Sequence, residues 1–264
     1  NMFKGVLSKM RTELDKSLTY FLELGDDFLI SDFLINKKIR FKFLGFSCLK
    51  CSSKEEIFRQ GHCKKCFFES PSTAEWVIRP ELSKAHLNIQ DRDIDYEKRI
   101  QLQPHILYLS FTDDVKIGVT RKSQIPTRWI DQGAINAIEV AELPNRYLAG
   151  LCEVELKKYY KDKTNRRAML KANKSEIDLR QEKANVKKYL PSDLEKYYNS
   201  TSLVKDITYP FEYKLDAPKS INIKKLKEFE GKLIGIKGQY LIFEDQSVFN
   251  VRSNEGIVVE MELN

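Results

Sequence analysis

Between Phe3 and Phe46, apolar and polar positions alternate. The runs Thr19-Tyr-Phe-Leu-Glu-Leu24 and Ile39-Arg-Phe-Lys-Phe43 carry aromatic and β-branched residues at the two-residue period of a strand with one buried face. Gly25-Asp-Asp27 marks a turn between them, and the second run leads directly into Cys48. A polar connector punctuated by Pro71, Pro80 and Pro104 follows.

From His105 the pattern changes. His105-Ile-Leu-Tyr-Leu-Ser-Phe111 and Val115-Lys-Ile-Gly-Val119 read as two strands joined by a turn at Asp113-Asp114. Thr127-Arg-Trp-Ile-Asp131 reads as a short helix ended by Gly133, and Ala137-Ile-Glu-Val-Ala141 as a third strand. A helix is expected after Pro144, running to about Asp162, because Leu148, Cys152, Leu156, Tyr159 and Tyr160 fall at helical spacing. The resulting order is β-β-α-β-α.

Ser175 to Lys188 reads as a charged helix, and Ser192-Asp-Leu-Glu195 as a capping box restarting a helix after Pro191. Lys232 to Phe243 and the turn Ser253-Asn-Glu-Gly256 are hairpin material. An isolated hairpin is marginal in water, so the two β-rich ends are expected to pack together or onto the middle module. The fold class is α+β in three segments: residues 1–75, a β-rich segment with a zinc ribbon-like site; 76–172, the β-β-α-β-α module; and 173–264, a helical connector and C-terminal β segment.

Cys48-Leu-Lys-Cys51 and Cys63-Lys-Lys-Cys66 are separated by eleven residues, and two such brackets can fill a tetrahedral shell. Cys48, Cys51, Cys63 and Cys66 are therefore read as ligands of a structural Zn²⁺, with no position left for a substrate. Two disulfides or four unrelated thiols are the competing readings. Disulfides need an oxidising compartment, and the chain shows no secretory leader pattern. His62 flanks the brackets, and Lys64, Lys65, Phe67 and Phe68 surround the second one, either as a nucleic-acid-gripping surface or as the small core of a ribbon.

Lys and Arg total 45 against 38 Asp and Glu, so a polyanion stands first among partners, although many lysines sit in acidic company. No apolar run reaches eighteen residues, which excludes a spanning helix and makes a cytoplasmic protein the expectation.

His105-Ile-Leu-Tyr-Leu, Val115-Lys-Ile-Gly-Val-Thr120, Arg128 and Glu153, in that order, resemble the GIY-YIG endonuclease superfamily, in the branch whose second motif reads KIG. Almost the full chain also resembles an uncharacterised bacterial family of unknown function, through Pro71-Ser-Thr-Ala-Glu-Trp76, Pro126 to Gly133, Pro144 to Gly150 and Gly235 to Ile242. The second resemblance brings no activity. The first covers about a quarter of the chain and implies a mechanism in which tyrosines stand near the attacking water, an arginine stabilises the phosphate and a glutamate holds one divalent metal. Carried onto this sequence, Arg128 is the arginine, and Glu153, in Glu-x-x-Leu, is the ligand for Mg²⁺ or Mn²⁺. Tyr108 lies one position after the usual first tyrosine, now Leu107. Lys116 replaces the second.

The residue types suit the chemistry without the family. An arginine fork and a carboxylate-bound cation neutralise phosphoryl oxygens and activate water, while Lys116 offers a point charge or, if burial lowered its pKa, a base. Structural roles compete for each residue: Arg128 with Asp131, Glu153 with Lys157, Tyr108 in the core. Glu155 rivals Glu153. Cys152 reads as a buried helix residue, and His86, Asp91 and Asp93 as a surface loop. Three functional readings stand: a GIY-YIG-type endonuclease acting on DNA or RNA, a non-catalytic module of the same fold binding RNA, DNA or a protein, and a nucleotide- or tRNA-processing enzyme of other chemistry.

Overall fold

A computed structural model describes residues 1–264. The chain divides into two compact units: a discontinuous one of residues Asn1–Glu69 and Thr208–Asn264, and a contiguous one of Ser70–Ile207. The three consecutive segments expected from the sequence are thus cut differently. The first and third share one unit, because strands far apart in sequence pair with one another.

The discontinuous unit contains β1 (Met2–Val6), β2 (Arg11–Leu14), β3 (Leu18–Leu24), β4 (Asp27–Ile30), β5 (Lys38–Phe46), β10 (Lys219–Ser220), β11 (Glu228–Lys237), β12 (Tyr240–Phe243), β13 (Ser247–Asn250) and β14 (Ile257–Leu263), with short helices α1 (Ser31–Leu34), α2 (Lys64–Glu69) and α9 (Ile223–Leu226). Its main sheet has the order β1-β14-β5-β11-β12-β13-β10, and β2-β3-β4 form a second. The N- and C-terminal β segments do pack together: β5 lies between β14 and β11, antiparallel to both. Alternation along β5 explains why. Ile39 and Phe41 are buried, while Arg40 faces outward, 2.6 Å from Glu228 of β11 and 3.7 Å from Glu262 of β14. Such exposed pairs contribute a few tenths of a kcal/mol each, so about this strand the apolar face decides.

The contiguous unit holds β6 (His105–Phe111), β7 (Val115–Arg121), β8 (Asn136–Leu143) and β9 (Lys205–Asp206) in the antiparallel order β7-β6-β8-β9. Its helices are α3 (Glu75–Ile78), α4 (Ile94–Gln101), α5 (Thr127–Asp131), α6 (Arg146–Leu156), α7 (Arg166–Lys171) and α8 (Leu179–Val186). Leu107 and Leu109 of β6 form a core with Ala149, Cys152 and Leu156 of α6 and with Leu179 and Val186 of α8. Tyr108, pointing to the opposite sheet face, packs edge-on against Trp129 of α5 at 5.8 Å.

Three expected helices are shorter than their patterns. The one after Pro144 stops at Leu156 because the chain beyond turns to β7, where Ile117 N donates to Lys161 O at 2.9 Å. The charged helix begins only at Leu179, capped by Asp178, since Ser175 Oγ closes a local turn with Ile177 N. Ser192–Glu195 forms a turn and a single 3₁₀ stretch, as Leu194, Tyr197 and Tyr198 are drawn into the core. The connector contains α3, α4 and short 3₁₀ turns. No helix is long and apolar enough to cross a membrane.

Candidate metal centre and candidate active site

β5 hands the chain directly to the cysteines. Ser47 N donates to Gly256 O at 2.8 Å, and Ser52 N to Cys48 O at 2.8 Å closes the first knuckle. The second opens α2, where Phe67 N donates to Cys63 O at 2.9 Å and the first helical turn presents Cys66. Gly61, at φ +73°, joins the two; a Cβ there would lie 2.5 Å from Leu49 Cδ1. The four Sγ atoms lie within 4.8 Å of one another, Cys51 and Cys63 at 3.8 Å. Four thiolates at Zn–S distance would sit about 3.8 Å apart, whereas a disulfide needs about 2.05 Å. These four cysteines are positioned to hold a metal ion.

The thiols differ in acidity. Burial pushes Cys48 up, but backbone N–H groups of Cys51, Cys63 and Lys50 outweigh it and bring the thiol down to about 6. Burial, reinforced by the other cysteines, pushes Cys66 up to about 12. Four sulfurs this close cannot all be thiolates without a cation among them. His62 stays outside the set, its Nδ1 2.6 Å from Gln60 O. Phe67 and Phe68 of α2 and Phe58 pack edge-on or tilted against one another at 5.2 to 5.6 Å between centroids, and Phe68 is 55% exposed.

The contiguous unit carries a different cluster. Tyr108 on β6 faces Gly118 on β7, and its phenol occupies the space that a Gly118 Cβ would need, 2.5 Å from Oη. The glycine of the KIG run is thus the seat of this ring. The phenol donates to Gln132 Oε1 at 2.9 Å, and the positive charge of Arg128 acts on it. Burial, first, then Glu153's charge hold its pKa above the ordinary value, against Arg128 and Gln132.

Glu153 is buried on α6. Burial raises its carboxyl, Lys157 and Arg146 lower it, and Asp162 and Glu81 raise it again. Lys157 Nζ is 3.6 Å from Oε2, an ion pair but not a hydrogen bond, and no protein donor reaches that oxygen. Glu155, its rival, points outward to Lys158 at 2.6 Å.

Two further residues join this cluster that the sequence reading did not single out. Arg146, the first residue of α6, is buried, donates to the carbonyls of Trp76 and Val77, and lies 5.8 Å from the Trp76 ring centroid. Burial lowers its pKa to about 10, which leaves it cationic. Glu81 approaches because Gly150 lets the backbone of Pro80 and Glu81 touch α6; a Cβ there would lie 2.3 Å from Glu81 N. Glu81 Oε1 accepts from Arg79 Nε at 3.0 Å, while Oε2 has no donor. A glycine within an amphipathic helix was the available signal for this approach.

Lys116 is not drawn in with them. Its buried ammonium sits 3.3 Å from Asp113 Oδ1, which also accepts from Thr112 Oγ1 at 2.8 Å. Cys152 is fully buried and its thiol is pushed up to about 12, chiefly by burial, so it is no nucleophile. His86 stacks on Tyr147 at 4.3 Å, and Asp93 caps α4. The backbone N–H groups of Asp91, Arg92 and Asp93 donate to the Glu97 carboxylate, so the Asp91–Asp93 segment is a structural turn.

Comparison with curated proteins and with solved structures gives no match. A family model described as "Protein of unknown function (DUF2797)" matches residues 36–259, spanning both the cysteine cluster and the Tyr108–Glu153 cluster, and the chain belongs to that family.

Proposed function

We propose that the contiguous unit is a metal-dependent phosphodiester-cleaving module of GIY-YIG type, and that the discontinuous unit is a nucleic-acid-handling scaffold stabilised by Zn²⁺ on Cys48, Cys51, Cys63 and Cys66. The observation that carries the first part is the meeting of Tyr108, Arg128 and Gln132 over Gly118, within electrostatic reach of the under-bonded carboxylate of Glu153. Zinc follows from an all-sulfur donor set at tetrahedral spacing. Thiolates of this kind persist in a reducing compartment such as the cytoplasm.

A buried carboxylate oxygen without a donor suits a hard divalent cation, Mg²⁺ or Mn²⁺, whose remaining ligands are waters and phosphate. Bound there, the cation supplies positive charge and a more acidic water. Arg128 then presents a planar fork to the phosphoryl oxygens. Water attacks phosphorus and releases a proton to solvent, the bond to the leaving oxygen breaks with its electron pair, and that oxygen takes up a proton from solvent. Tyr108, held protonated, acts as donor and orienting group rather than base. Arg146 holds α6 against the segment that carries Glu81 and offsets the charge of Glu153.

A second reading, binding without cleavage, draws support from Lys116, which stands where the family has a tyrosine and is occupied by Asp113. Incubation of the full chain with labelled DNA and RNA in Mg²⁺ or Mn²⁺, beside Glu153→Ala, tests both. Cleavage that vanishes in the variant supports the nuclease. Retarded but uncut nucleic acid in both supports the binding module. No effect on any nucleic acid sinks both.

A further inference from the structure

We infer that residues 163–174 form a duplex-docking arm that grips the phosphate backbone of double-stranded nucleic acid beside the Tyr108–Arg128 cluster. The inference takes its substrate class from the phosphodiester reading above.

From Lys163 to Ser175 the chain contains no acidic residue, yet it carries Lys163, Arg166, Arg167, Lys171 and Lys174. All five are exposed and none is within ion-pair distance of a carboxylate. Elsewhere some exposed cations are paired, as Lys38 is with Glu230, Lys122 with Glu142 and Lys224 with Glu56, and others, such as Lys64, Lys65 and Lys98, are not; what marks this segment is the run itself, five exposed cations with no acidic side chain among them. Five uncompensated charges on twelve residues repel one another unless a polyanion covers them.

The arm is anchored where the cluster is built. On one side, Lys161 O accepts from Ile117 N of β7 at 2.9 Å and Lys161 Nζ pairs with Asp114 at 2.7 Å. On the other, Met169 and Leu170 of α7 are buried, and the Met169 sulfur fills the space above Gly133, just beyond the helix that carries Arg128. Residues 161–175 contain no aromatic side chain. The nearest in sequence, Tyr160, packs against the core and donates to Glu182 Oε2 at 3.1 Å, and Tyr159 before it is stacked on Tyr189 at 3.8 Å. A surface with cations and no free rings contacts phosphates and offers no stacking platform for unpaired bases, which points to a duplex.

The test is anisotropy of the full zinc-loaded chain with a DNA duplex, an RNA duplex and a single strand, over a range of salt and without added Mg²⁺. A variant with all five cations replaced by Gln is compared with Lys38→Gln/Lys42→Gln, a charge control on the sheet face. Zinc content and circular dichroism establish that each is folded. Wild type should bind one or both duplexes with a steep salt slope, and the arm variant should lose about 0.9 in slope per lost phosphate contact, about four in all. The arms with DNA and RNA tell which duplex it is. The sheet-face control should bind like wild type. An arm variant that binds as wild type does, preference for the single strand, or a wild type that binds no duplex would overturn the proposal. Intact duplex binding with no cleavage in Mg²⁺ would overturn the catalytic reading alone and leave the arm standing.

Discussion

The two clusters are held in place by opposite means. In the discontinuous unit four identical donors crowd together, and they can all be thiolates only around a shared cation. In the contiguous unit unlike groups meet: a phenol donates to an amide within reach of a guanidinium charge, and an arginine is tied to two carbonyls. There the positions come from backbone packed against backbone at Gly150 and a ring seated over Gly118. One site has the donor set for a shared metal ion and the other is preorganised by its fold. Only the second kind can present a carboxylate oxygen with no partner.

That contrast can be broken from either side. Chelation, or Cys63→Ser, should have the largest effect. The discontinuous unit loses several kcal/mol or more, on the order of the binding free energy of structural zinc, while the contiguous unit still unfolds near its original temperature. Metal analysis with calorimetry checks this, and wild type without zinc would refute the site. Gly150→Ala should act in reverse, destabilising the contiguous unit by about 3 kcal/mol through overpacking against Glu81 while zinc content stays full. Gly118→Ala, which meets a side chain rather than backbone, is expected to cost about 1–2 kcal/mol and to alter the near-UV signal of Tyr108 and Trp129. Unchanged denaturant midpoints in both glycine variants would refute preorganisation by packing.

An effect of comparable size is a pH dependence in the contiguous unit. His105 is fully buried, and burial lowers its pKa to about 4, with Gln103 O opposing and Arg146 and Arg121 assisting. A depressed histidine favours its neutral form, so its contribution is present above the unfolded pKa near 6.5 and is lost as pH falls toward about 4. Between pH 7 and pH 5 the loss should approach about 2 kcal/mol. Urea midpoints at the two pH values, with His105→Gln flattening the difference, check it. An equal slope in the variant would assign the dependence elsewhere.

What could be read from the sequence follows the same division. The cysteine brackets are local, so their spacing announces their geometry, and the alternating runs of β3, β5, β6, β7 and β8 appear where the pattern puts them. The pairing of β5 with β11 and β14 was only half legible. Packing together of the β-rich ends was one expectation, but no local signal says which residues some two hundred positions on lie beside Arg40. Arg146 and Glu81 went unnoticed because their roles depend on an approach at Gly150 that joins distant segments. Ser192–Glu195 carried a sound capping pattern, yet burial of Leu194 and Tyr197 outweighed it.

The placement of β5 also sets an order of events in biosynthesis. When the ribosome has delivered Cys48 to Cys66, neither sheet neighbour of β5 has been made, since both lie within residues 228–263. The contiguous unit emerges next and has its whole sequence at hand. Until the last strands arrive, β5 is an unpaired hydrophobic strand on the nascent chain, flanked by the two parts of its unit whose sequence is already complete: the local β2-β3-β4 sheet before it and the cysteine knuckles after it.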